Sequence, residues 1–308
     1  MDSVTVEVAS ALEANGIRCI LLKGPTIATW LYGSGEVRPY CDTDLLVNPD
    51  QLDRAGGVLS DLGFDLRTDD RVLDDFAEPH ALVWRRGSEG TEVDLHWRLP
   101  GVGVSADLAW RRLSAQAVHL DMREHVVEAL AIPARLLHLV LHAVQSGVPS
   151  GPHGDVEQAL ARCDLAMWGN ALHVARELQA LEPFAVGLRA CPGGSELAHQ
   201  LRLPEFPSSP WRDWVQPTVR GALRLRAIRD APKRRAKVRL VMRALFPSAA
   251  YLRAIDPVAR RGRLGLFRAY GMRILAIATR LVPAVLAARA TSRREEKTTT
   301  SVNRAGPP

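Results

Sequence analysis

The stretch Asp42-Thr43-Asp44-Leu45-Leu46-Val47 decides the fold. With Cys41 it predicts a β-strand, and on a strand residues i and i+2 share a face. Asp42 and Asp44 therefore point the same way, roughly 7 Å apart along the chain. Two carboxylates on one face of a core strand require a counter-charge, because unpaired buried charge is costly. A divalent metal is the leading candidate. On the N-terminal side, 3–15 reads as a helix with Ser3 as N-cap and Gly16 at C′, and Ile17–Leu22 as a short apolar strand. The turn Lys23-Gly24-Pro25 then opens a helix reaching about Tyr32, with Pro25 at its first position. On the C-terminal side, Asn48-Pro49 caps a helix over 49–62 closed by Gly63, and Phe64–Arg67 is a third strand. His80–Arg86 and Thr91–Arg98 form a hairpin around Gly87-Ser88-Glu89-Gly90. The last of these strands carries a second acidic cluster, Glu92-Val93-Asp94-Leu95-His96, with Glu92, Asp94 and His96 on one face. Val93, Leu95 and Trp97 take the opposite, core face.

From Pro133 the pattern becomes helical: 133–146 is strongly apolar, 155–181 and 213–245 have helical periodicity, and 247–290 is helical with breaks at Pro257, Gly262-Arg263 and Pro283. The tail from Thr291 is polar and reads as disordered. The fold class is α+β: an N-terminal mixed sheet flanked by helices over 1–130, a mostly helical region over 131–290, and the tail 291–308. A hydrophobic content of 47% excludes wholesale disorder. Cys19, Cys41, Cys163 and Cys191 form no CxxC pair and sit mostly in apolar segments, which favours a reducing compartment. The N-terminus has neither a basic nor a long apolar leader region, so the expected location is cytoplasmic. Charge is uneven: net −9 over 1–100, −3 over 101–200 and +18 over 201–308. The basic C-terminal part could contact an anionic partner or complement the acidic front.

Three carboxylates converging from two strands make a hard-oxygen site suited to Mg²⁺, which takes one or two protein carboxylates and completes its shell with water and phosphates. Such sites often hold two ions. At the Lys23-Gly24-Pro25 turn a glycine leaves the backbone open and a helix directs its positive end outward, as phosphates require. Lys23 or Arg38 could add charge-assisted bonds to a triphosphate.

The order Leu21-Leu22-Lys23-Gly24, Leu31-Tyr32, Arg38, Asp42-x-Asp44-Leu-Leu-Val, then Glu92-Val-Asp94-Leu-His96-Trp97 resembles the uncharacterised nucleotidyltransferase family of the DNA polymerase β superfamily. The resemblance covers most of 15–290. It implies a polymerase β-like catalytic domain in which Asp42, Asp44 and Asp94 are catalytic and bind two Mg²⁺ ions, with Mn²⁺ as the alternative, and Gly24 lies beside the triphosphate. His142, Asp164 and Phe246-Pro247 look like positions of the family's helical region. The superfamily's usual Gly-Ser pair is Gly24-Pro25 here, and Lys23 precedes the glycine instead. The implied activity is Mg²⁺-dependent transfer of a nucleoside monophosphate from a nucleoside triphosphate such as ATP, with pyrophosphate released. The acceptor is open among a small molecule, a peptide, a protein and RNA. The alternatives are a non-catalytic module binding nucleic acid or protein on the same fold, and a phosphotransferase.

Plainer readings stand beside these. Asp42 and Asp44 could begin a solvated edge strand. Glu92 and His96 could be solvent-facing hairpin residues or could flank the metal ligands, as could His142 and Asp164. Lys23 could snorkel from a strand end, and Arg38 could be a surface loop residue. His138 and His142 stand at i and i+4, but residue 139 is Leu rather than the glutamate of a zinc motif, so hydrogen-bonded core or cleft histidines are the better reading. Gly33-Ser34-Gly35 lacks the third glycine of a dinucleotide fingerprint. Arg220–Arg243 is a solvated helix face or an anionic-partner surface, and no stretch reaches the length of a membrane span.

Overall fold

The structure is a computed structural model that describes residues 1–33, 36–69, 80–87, 90–122, 125–146 and 152–207, and beyond them chiefly 234–247 and 261–275. The loop positions 34–35 and 88–89, most of 213–233, Pro257, Pro283 and the tail 291–308 lie outside the described residues. The chain divides into two compact units, one of residues 1–71 and 79–206, the other of 72–78 and 207–308.

The first unit is organised by a seven-stranded mixed sheet in the order β3-β4-β5-β2-β1-β7-β6. Its strands are β1 (Cys19–Leu21), β2 (Asp42–Val47), β3 (Asp65–Asp69), β4 (Ala81–Arg86), β5 (Thr91–His96), β6 (Val118–Met122) and β7 (His125–Ala129). β2 lies near the centre, antiparallel to β1 and parallel to β5. Its alternation sorts two cores. Leu45 and Val47 point to one face with Val93, Leu95 and Leu21, where α1 (Asp2–Ala14) and α3 (Leu52–Asp61) cover them. Thr43 shares that face and satisfies its hydroxyl against Thr5 of α1 at 2.9 Å. Leu46 turns to the other face with Ile20 and Leu22, covered by α2 (Pro25–Leu31), α4 (Ala106–Ala115) and the C-terminal helices of this unit.

Those helices are α5 (Ile132–Ser146), α6 (Pro152–Arg162), α7 (Leu165–Glu177), α8 (Leu181–Ala190) and α9 (Gly194–Gln200). α5 lies within the larger core through Leu136, Leu137, Val140 and Ala143. α8 approaches α5 closely at Gly187, where an added Cβ would sit 2.8 Å from Val140 Cγ1 and 3.0 Å from the Val140 carbonyl oxygen. The second unit contains α10 (Arg234–Leu245) and helical residues 262–275, with a small core of Leu252, Ala259 and Ala269.

Several expectations change. The first helix starts at Asp2 with Met1 at its N-cap and no side-chain cap, so Ser3 does not cap it. The 49–62 helix opens as a single 3₁₀ turn, with Asn48 accepting the Asp50 amide as expected of a cap. The segment 155–181 is not one helix: the Asp164 carboxylate accepts the Met167 amide at 2.8 Å and starts α7 anew. β6, β7 and α4 went unread in the sequence, yet β7 extends the sheet by pairing parallel to β1 through Leu21 and Ala129. Cys191 is buried and Cys19 and Cys163 partly so, but Cys41 is exposed; none of the four is in a disulfide.

Candidate active site

The parallel β2–β5 register brings the two acidic clusters together. Asp42 pairs with Glu92, Asp44 with Asp94 and Leu46 with His96, so the polar members of both motifs share one sheet face. That face lies under α5. The Asp44, Asp94 and His96 side chains each offer a ligand atom, all within 4.8 Å of one another. His96 Nε2 lies 3.1 Å from Asp44 Oδ1. Lys23, in the turn after β1, donates to the same Asp44 oxygen at 2.8 Å and approaches His142 Nε2 at 3.1 Å. Two α5 side chains thus overlook the cluster, His142 directly and His138 one helical turn away, the imidazole centroids 6.2 Å apart. A third, Gln145, meets His80 at 3.0 Å, and the His80 ring stands 5.6 Å from that of His96.

The electrostatics distinguish the two aspartates. Asp44 is only 2% exposed. Burial alone would raise its pKa, but the Lys23 ammonium and the His96 hydrogen bond overcome it and hold the carboxyl well below the usual range. Asp94 has no such cation in contact, and burial, reinforced by the negative charge of Asp44, pushes it up to about 6. His142 is brought down to about 3 by burial and then by Lys23, consistent with a neutral ring accepting from the ammonium. His138 is lowered well below its ordinary value for the same two reasons. Neither of its ring nitrogens has a partner, so it is a buried but not a hydrogen-bonded histidine. His96 Nδ1 is likewise buried without a partner.

The other expected residues are placed as follows. Asp42 begins β2 on the same face, but its carboxylate does not lie within 4.8 Å of both Asp44 and Asp94; its charge still acts on Asp94 and Arg38. Glu92 faces Arg85 across the β4–β5 pair at 3.9 Å, both partly exposed. Gly24 has φ +67 and ψ −117, a conformation suited to glycine, and the Tyr40 ring lies 3.4 Å from where a Cβ would be. Pro25 follows without an N–H, so this turn offers one backbone donor fewer than a Gly-Ser turn. Arg38 is not a surface residue: its Nε and Nη2 grip the two oxygens of Asp155 at 2.7 Å each, and the Tyr32 hydroxyl donates to the same carboxylate at 2.7 Å. Asp155, buried on α6, was legible in the sequence only as the start of a helix. Asp164 is exposed and acts as the α7 cap, away from this cluster's hydrogen bonds.

The model of the uncharacterised nucleotidyltransferase family matches residues 2–192, more than half of the chain. The chain belongs to this family. Among solved structures it is similar to a lincomycin-bound lincosamide antibiotic adenylyltransferase, LnuA (12% identity, TM-score 0.33, covering 49% of this chain and 91% of that one). It is similar also to the antibiotic-resistance factor ANT(2'')-Ia (13%, TM-score 0.36, covering 65% and 99%). A third is an antigenic nucleotidyltransferase-like protein from Paracoccidioides brasiliensis (15%, TM-score 0.39, covering 64% and 91%). No curated protein matches.

Nucleotidyltransferases use divalent metals, and the donor set here fits one. Asp44 is ionised, Asp94 becomes so above about pH 6, and both present hard oxygens. His96 adds an imidazole, a donor that borderline ions such as Mn²⁺ accept more readily than Mg²⁺ does. In this nucleotidyltransferase the compact set is therefore Asp44, Asp94 and His96, with Asp42 at its edge, rather than three carboxylates alone.

Proposed function

We propose that this nucleotidyltransferase transfers a nucleoside monophosphate from a nucleoside triphosphate to an acceptor nucleophile and releases pyrophosphate. The observation that carries the reading is the in-register pairing of Asp44 with Asp94 under α5, with His96 and Lys23 in contact. Asp44, Asp94 and His96 would hold a divalent cation, Mg²⁺ or Mn²⁺, and Asp42, at the start of β2 on the same face, would be the third carboxylate of the site. When bound, such an ion neutralises phosphate charge that the acidic strands would otherwise repel.

The protein's own groups do the rest. Lys23, the ammonium nearest the cluster, supplies charge for the donor's phosphates, and the Gly24 turn lets the backbone approach them. An acceptor oxygen attacks the α-phosphorus. As that bond forms, the bond from the α-phosphorus to the bridging oxygen of the β-phosphate breaks, and its electron pair leaves with pyrophosphate. The acceptor's proton passes to a carboxylate of the cluster, and Asp94 is the candidate because Lys23 and His96 already hold Asp44. Arg38, locked to the Asp155 carboxylate that Tyr32 also holds, positions residues 36–41, which lead into β2, rather than reaching the phosphates with its whole guanidinium.

The test is equilibrium binding of a non-hydrolysable ATP analogue with and without Mg²⁺ or Mn²⁺, to the wild type, Asp44→Asn and Asp94→Asn, followed by turnover of α-labelled ATP with candidate acceptors. Metal-dependent binding lost in both variants, with label retained on an acceptor and pyrophosphate released, is expected. Binding indifferent to metal and to both substitutions would sink the reading, and release of ADP would replace it with phosphoryl transfer.

A further inference from the structure

The second compact unit carries exposed apolar groups set among arginines, and the mechanism above uses none of them. Helical residues 262–275 have a packed and an open face. Leu252, Ala259 and Ala269 form the packed side, joined by Leu266 and Tyr270. There the Gly265 backbone runs so close to the Val258 carbonyl that no Cβ fits. On the open face, Leu264, Phe267, Gly271 and Leu275 recur at i, i+3, i+7 and i+11, one stripe of a helix. Leu264 is 86% exposed, Phe267 80% and Leu275 67%, with Met272 alongside at 54%. A Cβ on Gly271 would meet nothing within 4 Å. Exposed Arg261 and Arg263 stand at the start of this helix, and Arg268 lies on the stripe itself.

α10 repeats the pattern. Val238, Val241 and Met242 form an exposed apolar stripe, continued by Phe246, while Arg234 and Arg235 are exposed at the N-terminal end. The two helical segments are tied together: the Tyr270 hydroxyl donates to the Pro247 carbonyl at 2.6 Å, and the Phe246 and Tyr270 rings lie 6.3 Å apart. Over 234–275 the sequence has 11 Lys/Arg and a single acid, Asp256. The following sequence, Ala276-Ile277-Ala278-Thr279-Arg280-Leu281-Val282, keeps the same mix of apolar residues and arginine.

We propose that the segments 234–246 and 261–275 form a peripheral docking surface for an anionic lipid bilayer, with Leu264, Phe267 and Leu275 entering the interface and the arginines resting on lipid phosphates. Charge complementarity selects the partner's sign, and the apolar stripe selects its chemistry. A nucleic acid would be met by the arginines but gives Leu264, Leu275 and Met272 nothing apolar to enter, whereas the headgroup–acyl boundary accommodates both. Among the described residues no helix is long and apolar enough to cross a membrane; the contact proposed is attachment to the bilayer surface.

The experiment is co-sedimentation of the full chain with vesicles of phosphatidylcholine alone or mixed with phosphatidylglycerol, across a salt series, with duplex DNA and structured RNA as competing probes. The expected result is binding to the phosphatidylglycerol vesicles at least tenfold tighter than to neutral ones, weakening with salt. Leu264→Ser/Phe267→Ser/Leu275→Ser replaces only exposed side chains, so its circular dichroism should match the wild type while vesicle affinity falls at least tenfold. Arg261→Ser/Arg263→Ser/Arg268→Ser should lose the preference for anionic lipid. The proposal is overturned by absence of vesicle binding, by equal binding to neutral vesicles, by a serine variant that binds like the wild type, or by nucleic-acid binding that displaces the vesicles and survives that variant.

Discussion

Replacing Lys23 with methionine removes one positive charge at nearly constant volume, from a site where Asp44 has almost no water to replace it. In the wild type the ammonium donates to Asp44 Oδ1 at 2.8 Å and lies 3.1 Å from His142 Nε2, with the Lys23 side chain only 13% exposed. Deleting one partner of a buried pair costs about 3–5 kcal/mol, because the remaining charge is left uncompensated. His96 still hydrogen-bonds to the same oxygen, so Lys23→Met should fall just below that range, at about 2–3 kcal/mol. Urea denaturation near neutral pH reads this directly, as a midpoint lowered by about 1 M or more if the slope is about 2 kcal/mol/M. A divalent cation should then do for the variant what the ammonium does for the wild type. Mn²⁺ at about 100 times its dissociation constant adds about 2.7 kcal/mol to a protein that binds it, and the variant, whose Asp44 has no ammonium beside it, should bind the ion more tightly than the wild type does. At a fixed Mn²⁺ concentration the gap between the two proteins should therefore narrow. The reasoning fails if Lys23→Met is within about 0.5 kcal/mol of the wild type, the range of an unimportant surface substitution. It fails also if Mn²⁺ stabilises both proteins equally.

The raised pKa of Asp94 makes its ionisation unfavourable in the fold. Folded stability is thus unaffected below the ordinary carboxyl range, falls as pH rises toward the folded value of about 6, and stays lowered above it. Asp94→Asn should accordingly be more stable than the wild type by roughly 2–3 kcal/mol above pH 6, with the difference vanishing near pH 4, measured as denaturation midpoints across pH. Asp155→Leu removes the carboxylate that Arg38 grips and should cost about 3–5 kcal/mol, whereas the double variant Arg38→Met/Asp155→Leu should recover most of it; additivity in the cycle completed by Arg38→Met would contradict the pairing. Gly187→Ala forces a methyl against Val140 and Val144 and should destabilise by about 1–3 kcal/mol in thermal or chemical unfolding.

Much of the site was legible because strand alternation is a strong signal and Asp42, Asp44, Asp94 and His96 all obey it. What alternation cannot supply is which strands are neighbours. The parallel pairing of β2 with β5, which sets Asp44 opposite Asp94, is a tertiary fact, as is Lys23 reaching Asp44 and His142 across more than twenty and one hundred residues of chain respectively. Asp155 was invisible for the same reason: an acid in the first turn of a helix is ordinary, and only the folded chain shows Arg38 and Tyr32 converging on it. β6 and β7 escaped notice because they form the outer part of the sheet, where few side chains reach the core. Val118, His119, Asp121, His125 and Val126 are all exposed, so the apolar period is too broken to read.

The close approach at Gly187 bears on chemistry some distance from it. α5 presents His138 and His142 to the acidic strands on one side, while Val140 and Val144, on the same helix, receive α8. The separation of these two helices is held at its minimum by the absence of a single methyl group. A larger residue at 187 is therefore expected to act as a spacer screw on the histidine row, shifting both imidazoles relative to Lys23 and Asp44 with no change in the identity of any residue of the site. In this chain, added volume at that position is thus expected to change activity from the rear of the helix.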